Sequence, residues 1–202
     1  EIVYKYVKQA DVYVECIDEI TGVLIGRVDP VRYSEKENYT TESLSIEGYT
    51  LTRNSGNTSG VMGRENILVK YYYKKNTSVT VKYIDMVTKE EIAKSTTQTG
   101  LENDNYTTTP ATVDGYELVL TPANAKGKMT PELITVIYEY RKLSNVVVKY
   151  IDENTGVEIP GVDEITTTYK EGDSYTTELK DITGYTYTRD TDNTRGTVAR
   201  EN

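Results

Sequence analysis

The sequence predicts a mainly β protein, α+β at most, built from tandem copies of one small repeat. The first observation is self-similarity: Val79-Thr-Val-Lys-Tyr-Ile-Asp85 recurs as Val12–Asp18 and Val146–Asp152, at a spacing of 67 residues (79 − 12 and 146 − 79). The second is composition, since the chain has 19 tyrosines, no phenylalanine and no tryptophan. Tyrosine and β-branched residues suit a pleated, half-buried surface. A motif that returns at a fixed period indicates a repeat architecture.

Each repeat opens with a predicted strand. Val79, Val81 and Tyr83 alternate with polar or outward-facing positions, which places them on one face because side chains alternate along a strand. In the third repeat, Asp152–Gly156 predicts a turn and Val157–Ile159 a second strand. The opening of each repeat is therefore a predicted β-hairpin.

A polar stretch then leads into the recurring Tyr-Thr-Thr motif. Asn38, Asn105 and Ser174 precede it and are residue types that cap helices, so we expect one short helical turn at each place. A further extended segment and a Gly- and Asn-rich loop follow. The repeat closes with a strand such as Leu133–Tyr140, whose alternate tyrosines face the core.

The repeats also predict the domain boundaries. Residues 1–8 align with a closing strand, because Tyr4-Lys-Tyr6 matches Tyr71-Tyr-Tyr73, and we expect them to end a preceding repeat. We name three ranges the first, second and third repeats, the third lacking its last strand: 12–74, 79–142 and 146–202. Linkers of only a few residues predict a monomeric, elongated rod of small beads.

Composition excludes several classes of function. The absence of histidine removes the commonest general base and metal ligand. A single cysteine, Cys16, excludes an internal disulfide framework and cysteine zinc sites. The net charge of −9 argues against nucleic-acid partners. No apolar run approaches the roughly 20 residues of a membrane helix, so we expect no membrane insertion.

The combined pattern resembles a known family. It runs from V-x-V-K-Y-I-D through D-x-Y-T-T, G-Y-x-L and N-x-x-G to V-x-Y-x-Y, and it covers almost the whole chain. This order of motifs is similar to the MucBP (mucin-binding protein) repeat of Gram-positive surface adhesins. The first repeat departs most, since Glu15-Cys16 replaces the Lys-Tyr of the opening strand.

The resemblance implies a ubiquitin-like β-grasp fold and an extracellular, cell-wall-anchored protein, with the anchor outside this fragment. It implies a non-enzymatic adhesin whose partners are mucin or other host glycoproteins. Paired carboxylates such as Asp152-Glu153 lack calcium-loop spacing, so no metal and no cofactor is predicted. We expect no catalytic residues.

Six residues are candidates for binding glycans. Arginines before polar loops can grip an acidic sugar through two hydrogen bonds, and outward-facing tyrosines can stack on sugar rings. The ordinary alternative is a solvated hairpin loop held by asparagine side chains. The candidates are Arg53, Asn57, Tyr72, Tyr187, Arg189 and Asn193.

The sequence leaves the biological role open between two main interpretations. In the first, each repeat binds mucin glycans weakly and many repeats supply avidity. In the second, the repeats are a structural spacer that projects a distal adhesive domain. An immunoglobulin-binding module is a further alternative that the family resemblance implies.

Overall fold

The computed structural model describes residues 1–200, and across them the regular structure consists of strands without a helix. That part of the chain contains no helix able to cross a membrane. The strands are β1 (Gln9–Asp18), β2 (Leu24–Ser34), β3 (Asn38–Thr40), β4 (Tyr49–Ser55), β5 (Ser59–Val61), β6 (Ile67–Asp85), β7 (Glu91–Leu101), β8 (Asn105–Thr107), β9 (Tyr116–Leu120), β10 (Lys126–Lys128), β11 (Ile134–Val148), β12 (Ile165–Lys170), β13 (Ser174–Thr176) and β14 (Arg195–Thr197).

The chain divides into two compact units, which differ from the repeats because each unit contains the boundary between two of them. Unit 1 comprises residues 1–80, 97–107 and 126–135, and unit 2 comprises residues 81–96, 108–125 and those from 136 onward.

The first repeat forms a sheet in the order β2-β1-β6-β4. β1 pairs antiparallel with β2 and parallel with β6, while β4 runs antiparallel to β6. Parallel first and last strands at the centre of the sheet are the arrangement of a β-grasp sheet. The crossing segment between β2 and β4 contains the short strand β3 in place of a helix.

The predicted helical turns are wrong. Asn38, Asn105 and Ser174 each begin a three-residue strand, and these strands pair antiparallel with β5, β10 and β14. The central tyrosine explains the preference in each case: the ring of Tyr39 packs against Gly60 of the partner strand, where a Cβ would lie only 3.2 Å away. A glycine opposite an aromatic ring gives the strand pair a close fit that a helical turn would lose.

The second repeat is built from equivalent strands in the same roles. β6 neighbours β7 and β11, and β9 runs antiparallel to β11 with Leu118 opposite Tyr140. β6 closes the first repeat and opens the second without a break, as the short linkers predict, and β11 does the same for the second and third.

The third repeat departs from the predicted hairpin. β11 pairs with β12, but the expected strand Val157–Ile159 is reduced to one bridge between Ile151 and Glu158. Pro160 and Gly161 supply the reason, because proline has no amide hydrogen to donate and Gly161 adopts a φ of 76°.

Tyrosine is the large side chain of the cores. In unit 1, Val14, Cys16 and Val69 pack with Tyr71 and Tyr73, and Cys16 is fully buried, as expected for a small residue in place of tyrosine. In unit 2, the ring of Tyr83 stacks on Tyr138 at 6.0 Å and meets Tyr140 edge-on at 6.4 Å. Alternation along the opening and closing strands therefore identified these core positions correctly.

The buried phenols find partners on the crossing segments. The hydroxyl of Tyr73 donates to the carbonyl of Leu44 at 2.7 Å, and that of Tyr140 donates to the carbonyl of Ala111 at 2.7 Å. Burial and the neighbouring Cys16 raise the pKa of Tyr73 to about 12. Buried tyrosine is favourable only when its hydroxyl is satisfied in this way.

Candidate functional site

An arginine stacked on a tyrosine forms the best-defined polar cluster on the surface of unit 1. Arg53 of β4 and Tyr72 of β6 are register partners in the antiparallel pair. The guanidinium carbon of Arg53 lies 3.6 Å from the centroid of the Tyr72 ring. A guanidinium over an aromatic face is attracted by the ring quadrupole, and the contact fixes its plane. The ring face that Arg53 covers is therefore closed to a sugar.

Glu19 fixes a second side of this arginine. Arg53 donates from Nε to Oε1 of Glu19 at 2.7 Å, and the hydroxyl of Thr52 donates to Oε2 at 2.5 Å. These two donors lower the pKa of Glu19 below its ordinary value. The Arg53 side chain nevertheless remains 52% exposed. The guanidinium is held on one face and one edge while about half of the side chain is open to solvent.

The third repeat builds the same arginine–glutamate pair within unit 2. Arg189 donates from Nε to Oε1 of Glu153 at 2.8 Å. The hydroxyl of Thr188 and the charge of Arg189 lower the pKa of Glu153, as Thr52 and Arg53 do for Glu19. Tyr187, which corresponds to Leu51 of the first repeat, donates its hydroxyl to Asp190 at 2.8 Å.

The second repeat lacks this pair. Met86 follows the hairpin aspartate where the first repeat has Glu19, and Leu120 occupies the position of Arg53. Both side chains are exposed. A polar, arginine-centred surface in the first and third repeats is thus replaced by an apolar one in the second.

The two predicted asparagines contribute backbone atoms to the fold. The hydroxyl of Tyr39 donates to the carbonyl of Asn57 at 3.2 Å, and that of Tyr175 donates to the carbonyl of Asn193 at 3.1 Å. The side-chain oxygen of Asn193 also accepts a hydrogen bond from Thr191. Both asparagines lie in exposed loops, so the interpretation as ordinary structured loops fits their bonds.

Of the six predicted residues, the structure brings Arg53 and Tyr72 into contact. Sequence reasoning missed Glu19 and Glu153, which hold the two arginines. A signal was present: each glutamate directly follows the hairpin aspartate, and the second repeat has Met86 and Leu120 at the positions of the glutamate and the arginine.

The hairpin aspartates explain why the paired carboxylates are poor cation ligands. Asp18 accepts the backbone N–H groups of Ile20 and Thr21 at 2.9 and 3.0 Å, and it also accepts the hydroxyl of Tyr49. Asp152 accepts from the equivalent backbone groups of its own turn. Within residues 1–200, no three Asp, Glu, His or Cys side chains are grouped to hold a metal ion.

Unit 1 also contains a shallow groove of about 280 Å³ between β2 and the crossing segment. Its lining combines apolar side chains such as Val28 and Val31 with Tyr33, and it also includes the acidic residues Asp29 and Glu42. Two acidic residues in the lining disfavour an anionic ligand in this groove.

The chain belongs to the MucBP domain family, whose model matches residues 11–74, 78–141 and 145–202. It is therefore an adhesin-type repeat module of a Gram-positive surface protein, in a family that is not enzymatic.

Its relatives include Internalin J of Listeria monocytogenes serotype 4b (strain F2365), which is 34% identical over 97% of this chain. Internalin I of Listeria monocytogenes serovar 1/2a (strain ATCC BAA-679 / EGD-e) is 29% identical over 89% of the chain. The chain spans only 22% and 10% of the lengths of these two relatives.

Solved structures that match the chain include the type 2 repeat of the mucus binding protein MUB from Lactobacillus reuteri. The match has a TM-score of 0.25 and 15% identity, and covers 66% of this chain and 99% of that one. The crystal structure of Mub-RV matches with a TM-score of 0.24 and 14% identity, covering 65% and 97%.

Proposed function

We propose that this chain is a glycan-binding module that attaches a Gram-positive cell to host mucin. The first and third repeats each bind an acidic sugar, such as a terminal sialic acid, through Arg53 and Arg189. The observation that carries the proposal is the fixed but half-exposed guanidinium of Arg53, held by Tyr72 and Glu19. A guanidinium whose geometry is already set loses little freedom when it takes a carboxylate.

Binding at one such site is weak. Glu19 already neutralises part of the charge of Arg53, and the net charge of −9 repels an acidic glycan at long range. Useful attachment then depends on several sites acting together on a ligand that carries many sugars, which multiplies affinity without new contacts. The larger protein, anchored to the cell wall, supplies that multiplicity.

The test compares binding of the chain, displayed in multiple copies on a bead, to sialylated and enzymatically desialylated mucin. We expect the double variant Arg53→Ala and Arg189→Ala to lose most of the binding to sialylated mucin. Arg32→Ala is the matched control, because Arg32 is an exposed arginine whose Nε and Nη2 both already donate to Asp11. Equal loss in the control, or unchanged binding in the double variant, contradicts the proposal.

A spacer role is the second candidate, and one observation favours it. β6 and β11 carry the chain from one repeat into the next as unbroken strands, where a binding array would tolerate flexible linkers. The same bead assay separates the two candidates. Absence of binding to either form of mucin at every bead density supports the spacer.

A further inference from the structure

A buried aspartate is clasped by an arginine at the boundary between the second and third repeats, inside unit 2. Asp85, in the hairpin turn of the second repeat, is fully buried and accepts a hydrogen bond from Arg200 of the third. Arg200 also bonds Glu171 through Nε at 3.0 Å. A buried carboxylate needs such a partner, since an unpaired charge away from water is strongly unfavourable.

The first repeat contains the same arginine and glutamate. Arg64-Glu-Asn66 repeats the sequence of Arg200-Glu-Asn202, and Glu35 stands in the place of Glu171. The backbone is built alike, because the N–H of Glu35 donates to the carbonyl of Lys8 at 2.9 Å. The N–H of Glu171 donates to the carbonyl of Lys142 at 2.8 Å in the same way.

The pair in the first repeat differs by being uncovered. Arg64 is 66% exposed and lies 3.8 Å from Glu35, whereas Arg200 is 25% exposed and lies 2.9 Å from Glu171. Arg200 contacts a hairpin aspartate, Asp85, whereas Arg64 does not. The arginine of the first repeat is thus arranged like Arg200 without the carboxylate that orders it.

The strand before the first repeat is uncovered as well. Residues 1–8 follow the pattern of a closing strand, and Tyr4 and Tyr6 are 77% and 88% exposed. Their counterparts Tyr138 and Tyr140 are fully buried. Large apolar side chains on an alternating strand gain stability only when a sheet and core cover them.

The first and third repeats, which have Arg64 and Arg200, are one kind of repeat, and the second repeat is the other kind. We propose that Arg64 and Glu35 form a docking site for the hairpin aspartate of another repeat of the second kind, joined ahead of residue 1. The occupant is identified by its chemistry: a buried turn carboxylate beside a core that takes up Tyr4 and Tyr6. A repeat of the second kind can supply the aspartate but has no such docking site of its own, because it has Pro131 where the others have Arg64 and Arg200. The two kinds of repeat therefore alternate, and the arginine of one closes over the aspartate of the one before.

The test extends the chain by a copy of residues 79–134 placed directly before Glu1, which continues the alignment in register. Hydrogen exchange at the Nε–H of arginine, followed by NMR with labelled arginine, reports whether each guanidinium is clasped. In the chain without the copy, we expect slow exchange for Arg200 and fast exchange for Arg64. In the extended chain, exchange of Arg64 slows by about tenfold or more and approaches that of Arg200.

Replacing the copy's equivalent of Asp85 with asparagine, in the added copy alone, is the matched control. It restores fast exchange at Arg64 while Arg200 stays slow, and the Arg200 signal shows that the rest of the chain is folded. Fast exchange of Arg64 in the extended chain overturns the proposal. So does slow exchange that survives the asparagine substitution.

Discussion

The clasp between Arg200 and Asp85 makes a quantitative prediction about stability. Replacing Arg200 with glutamine leaves Asp85 buried without its cation. Removing one partner of a buried pair costs about 3–5 kcal/mol, and we expect about 3 kcal/mol here because Arg200 is partly exposed. Arg64→Gln is the matched control, since it removes the same residue type from the same motif at an exposed site. Its expected cost is at most about 0.5 kcal/mol.

Hydrogen exchange of backbone amides, read by mass spectrometry, suits this measurement because a chain of several repeats need not unfold in one step. A loss of about 3 kcal/mol speeds exchange around the hairpin at Asp85 by about a hundredfold. Arg64→Gln leaves that region unchanged. Equal exchange in Arg200→Gln and the parent chain would show that the clasp adds nothing.

The same clasp has a defined pH dependence. Burial alone would raise the pKa of Asp85, but Arg200 and the N–H groups of Thr88 and Val87 lower it below its ordinary value. A depressed carboxyl pKa stabilises the fold at pH values above the unfolded pKa, and the stabilisation is lost as the pH falls through the folded pKa. The stabilities of the parent chain and of Arg200→Gln therefore converge once the pH has fallen below the folded pKa of Asp85. A difference that persists undiminished in strong acid would refute the electrostatic explanation.

Two further predictions concern the tyrosine-rich packing. Gly127→Val places a side chain against the ring of Tyr106, where even a Cβ lies 3.3 Å away, and we expect it to lower the free energy of unfolding by about 1–3 kcal/mol. Gly63→Val, whose Cβ would have no atom within 4 Å, is the control in thermal unfolding, and equal losses of stability in the two variants would contradict the packing argument. Because the pKa of Tyr73 is raised to about 12, its neutral phenol contributes fully to the free energy of unfolding below pH 10, and this contribution falls between pH 10 and about 12 by up to about 1.4 kcal/mol per pH unit. Urea unfolding should show this extra loss in the parent chain relative to Tyr73→Phe, and the same pH dependence of stability in both proteins would exclude it.

Local patterns predicted the features that local physics determines. The alternation in Val79–Asp85 identified buried and outward-facing positions, because the period of a strand is set within a few residues. The expected helical turns at Asn38, Asn105 and Ser174 failed because strand pairing with a distant glycine outweighed a capping preference.

The candidate site was only half visible for the same reason. Arg53 stood out because it precedes a polar loop and Tyr72 because it faces outward, but Glu19 lies 34 residues from Arg53 along the chain. The clasp of Asp85 by Arg200 joins residues 115 positions apart. Contacts at that separation depend on register and crossing geometry, which a pattern of residue types does not specify.

The phenol contacts with the crossing segments have a consequence for how these copies diverge. Tyr73 bonds the main-chain oxygen of Leu44, and Tyr140 bonds that of Ala111 at the matching position. Every amino acid supplies such an oxygen, so the anchor does not depend on which side chain stands there. Mutation can therefore change the exterior of this segment from copy to copy, while the attachment underneath stays the same.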